Sequence, residues 1–188
     1  TRGSLYYNAK SGNCYYGKNN ATTTCNFTSS GIKNDTTRNL IAETTYYTRG
    51  NNSNQIFVDT MYDKERVSGT VYSGHATSWT GKIALAYPSD YGYAADLGKC
   101  SQNLNNYNNS TCTSNNWMKA IVAPNYGWLL TPRSGIASNV WYVYSSGGVY
   151  YNSYVYNAYG VAPVLFLNSD ANVKSGTGTS SDPYQISV

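Results

Sequence analysis

The sequence predicts an α+β domain of short strands, one or two helices and long loops, stapled by disulfides. Three observations carry that prediction. Short β-branched or aromatic runs bounded by Gly, Pro, Asn or Asp recur along the chain. Only one segment has full helix punctuation, and four cysteines fall into two neighbouring pairs. So few helices among so many short, irregularly spaced strands indicate the α+β class. The 188 residues suit one domain, read as an N-terminal extension over 1–33 and a main domain over 34–188.

Taken in order, residues 1–33 are rich in Asn, Thr and Ser and contain the first cysteine loop. "NDTTRNLIAETTYYTRGNN" then carries a helix signature. Asn34 or Asp35 can cap it, Leu40, Ile41, Thr44 and Tyr47 keep helical spacing, and Gly50 stops it. A second short helix is expected around residues 117–121, where "NNWMKAIV" begins after capping asparagines. The strand candidates are "GTVYSG", "GKIALAYPSDYGYA", "YGWLLTP", "NVWYVYSSGGVYY", "YGVAPVLFL" and "DPYQISV", with "YSSGGV" as a hairpin turn. Within them "YPSDYGYA" reads as a turn shaped by Pro88 and Gly92, and "PVLFL" as a core strand. "SQNLNNYNNST" is expected on the surface, held there by its disulfide. Trp79, Trp117, Trp128 and Trp141 each sit beside aliphatic or Gly positions and read as core.

Charged residues make up only 12% of the chain, so solubility rests on hydroxyls and amides. The net charge of +4 comes from scattered Lys and Arg, with no basic run suited to tracking phosphates, and no nucleic-acid partner is expected. The intervals within Cys14/Cys25 and Cys100/Cys112 are too wide for metal knuckles, and a single histidine leaves zinc short of ligands. Three disulfide connectivities are open, of which Cys14–Cys25 with Cys100–Cys112 is expected; the alternative is four free thiols in a cytosolic protein. Disulfides persist outside the cell, so an extracellular, surface-associated location is expected. No apolar stretch approaches the ~20 residues that span a bilayer. The opening "TRGS" reads as an expression remnant, so any membrane tie is expected through an N-terminal anchor upstream.

Residues 139–160, "NVWYVYSSGGVYYNSYVYNAYG", hold seven of the 21 tyrosines and no charge. Strand alternation sets Tyr142 and Tyr144 against Trp141 and Val143, and Tyr154 and Tyr156 against Val155. A Tyr offers large contact area at low conformational cost, and Ser, Gly and Asn add adaptable hydrogen bonding, which is the chemistry of antibody binding loops. The candidate ligand-binding residues are Asn139, Tyr142, Tyr144, Ser145, Tyr150, Tyr151, Asn152, Ser153, Tyr154, Tyr156, Asn157 and Tyr159. Replacing Tyr151 and Tyr154 by Ala is expected to abolish binding with little change in melting temperature.

The run "TVYSGHATSWTGKIALAYPSDYGYA", the cysteine-bounded Asn-rich loop, then "WLLTPRS", "VWYVYSSGGV", "YGVAPVLFLNSDANV" and "SGTGTSSDPYQIS" resembles a family of secreted or surface-anchored bacterial proteins. These are the variable targets of diversity-generating retroelements, many of them pilin-like at the N-terminus. The resemblance covers roughly residues 35–188, and "GKIALAYPSDYGYA" and "YGVAPVLFL" are its most specific parts. It implies a C-type-lectin-like fold of the branch related to formylglycine-generating enzymes. It also implies a variable tract over about residues 134–159. Adenine-directed mutagenesis converts Asn codons to Tyr, Ser, Gly, Asp or Thr, which would leave such a mixture. Ala162 stands where the family's "GVRPV" motif has Arg.

Enzyme chemistry is not expected. His75 is the only histidine and no G-x-S-x-G nucleophile turn accompanies it. Asp63 and Glu65 in "YDKER" alternate with cations and read as a solvated, salt-bridged turn. The formylglycine-generating relatives use cysteines near the C-terminus, and this chain has none after Cys112. Asp90 and Asp96 lack the ligand run of a calcium site, so neither metal nor cofactor is expected. The function expected is a surface receptor or adhesin binding a protein or glycan on another cell, a host or a phage. The alternatives are a fixed carbohydrate-binding module and a structural subunit of a surface filament.

Overall fold

In the computed structural model, residues 12–14, 23–25, 35–179 and 181–187 are described. The architecture is mixed, with short strands, short helices and one described disulfide, Cys100–Cys112, as expected for the class. Strand β1 (Gly12–Cys14) pairs antiparallel with β2 (Thr23–Cys25), placing Gly12 opposite Cys25 and Cys14 opposite Thr23. The Cys14 and Cys25 side chains, their expected link, the rest of the 1–33 extension and the Asn34 cap lie outside the described residues.

The helix expected through Tyr47 is far shorter. Helix α1 (Asp35–Asn39) stops after five residues, and Thr44–Tyr47 form β3 instead. β-branched and aromatic side chains favour a pleated surface over a helix. Strand β3 pairs with β4 (Ser78–Gly81), and the buried Tyr46 ring stacks 5.1 Å from Trp79. Helix α2 (Val58–Asp63), absent from the sequence expectation, continues as a π-helical turn over Lys64–Ser68. It buries Val58, Met61 and Glu65, so "YDKER" is not a solvated turn.

Strand β5 (Ala84–Leu85) leads into helix α3 (Pro88–Tyr93). "YPSDYGYA" is therefore helical, not a shaped turn. Pro88 occupies the first helical position, where its missing N–H costs nothing, and Asp90 accepts the Tyr87 N–H at 3.0 Å. Gly92 lets α3 approach α2: a Cβ there would meet both Val58 methyls at 2.8 Å. The Asn-rich loop between Cys100 and Cys112 is not wholly superficial. Leu104 and Tyr107 enter the core, and the Tyr107 hydroxyl donates to the Gly92 carbonyl at 2.9 Å. Helix α4 (Ser110–Ser114) is capped by the Asn109 side chain, and α5 (Lys119–Val122) falls near the second expected helix.

The core lies between these helices and a three-stranded antiparallel sheet of β6 (Gly127–Pro132), β7 (Asn139–Val143) and β8 (Val149–Tyr154). Leu129, Trp141, Val143 and Val149 fill its inner face. Of the four tryptophans expected in the core, only Trp141 is wholly buried; Trp128 is half-buried, Trp79 is exposed and Trp117 is 68% exposed. Strand β9 (Pro163–Val164) pairs with β5. Only Ala162 and Val164 of this stretch reach the core, whereas Leu165, Phe166 and Leu167 are exposed, so "PVLFL" is not a core strand. Strands β10 (Asn172–Ser175) and β11 (Gln185–Ser187) close the chain as an antiparallel pair. Among the described residues no helix is long and apolar enough to cross a membrane.

Candidate ligand-binding face

Opposite Trp141 and Val143, the outer side of β7 presents Tyr142 and Tyr144, as alternation predicts. Tyr142 lies across from Tyr150 on β8 and from Trp128 on β6, and facing residues share one side of a sheet. Tyr159 is folded back over this surface. Its neighbour Gly160 accepts the Trp128 N–H at 2.9 Å and donates to the Tyr126 carbonyl at 2.8 Å. Tyr126, Trp128, Tyr142, Tyr144, Tyr150 and Tyr159 thereby form one connected cluster of rings. Tyr126 is its hub, 4.6 Å from Tyr144, 4.7 Å from Tyr159 and 6.4 Å from Tyr142. Trp128 lies 4.5 Å from Tyr159, and Tyr142 is 5.8 Å from Tyr150. Offset and edge-on ring contacts at such distances contribute about 0.5–1.5 kcal/mol each beyond area burial.

The cluster contains no acidic or basic residue. Partial burial first, then the neighbouring phenols of Tyr159, Tyr150, Tyr126 and Tyr144, push the Tyr142 hydroxyl up to about 12. The hairpin that carries it is fixed. Gly147 takes φ 92°, a left-handed conformation suited to glycine, and its N–H donates to the Tyr144 carbonyl at 2.8 Å. The buried Tyr91 hydroxyl donates to the Gly147 carbonyl at 3.1 Å, tying the turn to the core. A Cβ at Gly147 would strike the Thr113 methyl at 2.6 Å.

Strict alternation fails along β8. Val140 pairs with Ser153 and Tyr142 with Tyr150, so Tyr151 and Asn152 together oppose Trp141. This is a β-bulge, and it shifts every later side chain to the other side. Ser153, not Tyr154, therefore lies on the Tyr142 side. It is buried beneath Asn157, whose amide donates to the Ser153 hydroxyl at 3.0 Å and the Tyr159 hydroxyl at 3.4 Å. Tyr151 turns inward, its ring 5.6 Å from Trp141 and 4.9 Å from the Arg133 guanidinium. Tyr154 faces the Asn139 side, past the end of the core, and stacks on Tyr156 at 5.1 Å; Tyr156 is 72% exposed. Val155 is exposed in the turn and does not oppose these tyrosines from a core.

The twelve candidate residues thus separate into four groups. Tyr142, Tyr144, Tyr150 and Tyr159 share the ring cluster. Tyr154 and Tyr156 form a separate exposed pair, with which we group Ser145, exposed on the hairpin turn, and Asn152, exposed at the bulge. Asn157 bridges beneath Tyr159. Asn139, Tyr151 and Ser153 are corrections: Asn139 and Ser153 are buried and Tyr151 packs on the core, so none of the three offers its side chain freely to a ligand. Two cluster members were missed in the sequence, Tyr126 and Trp128. Their signal was the alternation of Tyr126, Trp128 and Leu130 with Gly127, Leu129 and Thr131, which sets Trp128 away from the core. Comparison with protein-family models, with curated proteins and with solved structures finds no match for this chain.

Proposed function

We propose that the protein is an extracellular ligand-binding surface protein, a receptor or adhesin, whose aromatic sheet face contacts a protein or glycan on another cell, a host or a phage. The observation that carries this reading is the six-ring cluster, partly open to solvent, uncharged, and mounted on a hairpin anchored to the core. Half-exposed tyrosines held rigidly bind with little loss of side-chain freedom. Binding rather than catalysis is the reading, and the motif order supports a C-type-lectin-like, retroelement-diversified family. The Cys100–Cys112 disulfide is compatible with the extracellular location.

The test pairs a screen of glycans and bacterial, host and phage surface proteins with the Tyr144→Ala variant. A ligand whose binding drops about tenfold or more in that variant, at unchanged melting temperature, supports the reading. Undiminished binding refutes this face as the site. Sequencing the gene across a natural population tests the diversification separately. Substitutions should fall at Tyr142, Tyr144, Tyr150, Tyr154 and Tyr156 and spare Trp141, Val143 and Val149. Variation scattered over the whole chain would count against it.

A further inference from the structure

A second surface carries an aromatic and polar constellation that shares no residue with the tyrosine tract. The end of α3 and the segment after α4 run side by side through a bridge between Ala95 and Asn116. The Asp96 N–H donates to the Asn115 carbonyl at 2.9 Å, and the Trp117 N–H to the Ala94 carbonyl at 3.3 Å. Between them opens a cleft of about 530 Å³ lined by Tyr93, Asp96, Ser114, Asn115 and Trp117 over a small floor of Ala94 and Ala95. That volume falls within the ~300–1,000 Å³ of small-ligand sites.

Its chemistry is divided in a particular way. Trp117 and Tyr93 present largely exposed rings, and among the described residues no hydrogen bond occupies the Trp117 indole N–H or the Ser114 hydroxyl. The polar edge is prearranged. Lys99 donates to Asp96 Oδ2 at 3.2 Å and reaches Asn115 Oδ1 at 3.5 Å, and Gly98 N–H donates to Asp96 Oδ1 at 3.0 Å. Asn116 is committed to the scaffold: its amide donates to the Tyr91 carbonyl at 2.8 Å and its oxygen accepts the Met118 N–H at 3.0 Å. The Lys99 hydrogen bond, followed by that of Gly98, holds the Asp96 carboxyl below its ordinary range, so it is an acceptor at neutral pH.

An open cleft with such an edge suits a ligand that is apolar on one face and rich in hydroxyls at its rim. We infer that this cleft is a carbohydrate subsite, taking a neutral pyranose whose C–H face stacks on Trp117 while its hydroxyls meet Asp96, Asn115 and Ser114. Carboxylate and amide oxygens accept from hydroxyls, and the indole N–H supplies a donor, with the one Asn115 amide hydrogen not given to the Thr111 carbonyl at 2.7 Å. A purely apolar ligand would make no use of the Asp96 acceptors or the Ser114 hydroxyl at the rim, and a peptide would find no groove beyond these few residues. The inference does not depend on the tyrosine face.

The probes are the methyl glycosides of glucose, galactose and mannose, and N-acetylglucosamine, added to isotopically labelled protein. The indole N–H resonance of Trp117 is identified by its loss in Trp117→Ala. At least one sugar should shift it saturably, with a Kd of about 1–10 mM, as expected for one small shallow contact. Asp96→Asn should weaken binding about tenfold, since it removes the charged acceptor while keeping the shape. Tyr144→Ala should leave it unchanged, which separates failure here from failure of the tyrosine face. No saturable shift with any of the four sugars up to about 100 mM would overturn the inference, as would a shift that survives in Asp96→Asn at full affinity.

Discussion

Two regions use their polar atoms in opposite ways. On the β6–β8 face the ring cluster offers phenol hydroxyls on half-open rings, of which that of Tyr159 also accepts from the Asn157 amide. Between α2 and α3 the chain sinks charge instead. Glu65 is 0% exposed; its Oε1 accepts the Ser89 N–H at 3.1 Å, while Oε2 contacts the Ser89 hydroxyl and Arg66. Arg66 continues to Asp90 at 3.0 Å, and its guanidinium lies 4.0 Å from both the Tyr62 and Tyr87 rings. One region leaves its side chains half open, while the other commits its polar atoms to partners inside the fold.

The largest effect should come from breaking the buried region. Glu65→Ala removes the acceptor of the Ser89 N–H and the hydrogen-bonded partner of Arg66, and opens a cavity between α2 and α3. Breaking such a pair costs about 3–5 kcal/mol, to be read by chemical denaturation. Glu65→Gln keeps the shape and one oxygen acceptor and should cost less. A loss from Glu65→Ala no larger than that of an exposed substitution would show that the network is not structural.

A pH series sharpens the same contrast. Burial pushes the Glu65 carboxyl up to about 8, against the pull of its Ser89 hydrogen bonds and of Arg66 and with a small push from Asp90. The folded state therefore binds a proton more tightly than the unfolded chain, whose carboxyl titrates in the ordinary range. The stability this proton provides is complete below about pH 4.5 and is lost as pH rises through about 8. The melting temperature of the natural sequence should fall between pH 5 and 9, and in Glu65→Gln this fall should flatten. Parallel curves for the two would assign the titration elsewhere.

The same two regions mark how far the sequence can be read. Period-two alternation made Tyr142 and Tyr144 legible as an outward pair, and "YSSGGV" legible as a turn, because both are local patterns. The buried network was not legible, since Glu65 and Ser89 are 24 residues apart and "YDKER" looks like any solvated charge cluster. Helix α2 carries no side-chain cap at Phe57, so nothing announced its start. The helix signal after Asp35 was real but short, because "TTYY" found a strand partner at Ser78–Gly81 that local spacing could not foresee. Within the site, the bulge at Tyr151 and Asn152 was invisible to alternation. It alone moved Tyr154 off the face on which a regular strand would have placed it together with Tyr150, and it set Tyr151 and Asn152 jointly opposite Trp141.

That bulge supplies the smallest and most discriminating effect. A regular strand would set Tyr154 on the outer face with Tyr150, and Tyr151 on the inner one, where the bulged strand also keeps it. Tyr151 therefore packs on Trp141 and under Arg133, while Tyr156 leans only on Tyr154 in an exposed turn. Truncating a half-buried ring loses part of the ~3–5 kcal/mol of a fully buried one, so Tyr151→Ala should cost about 2 kcal/mol. Tyr156→Ala should stay within about 0.5 kcal/mol, as exposed substitutions do. Urea denaturation of the two single variants reads the difference directly. Equal small losses would mean that Tyr151 faces solvent, and would return it to the candidate ligand-binding residues.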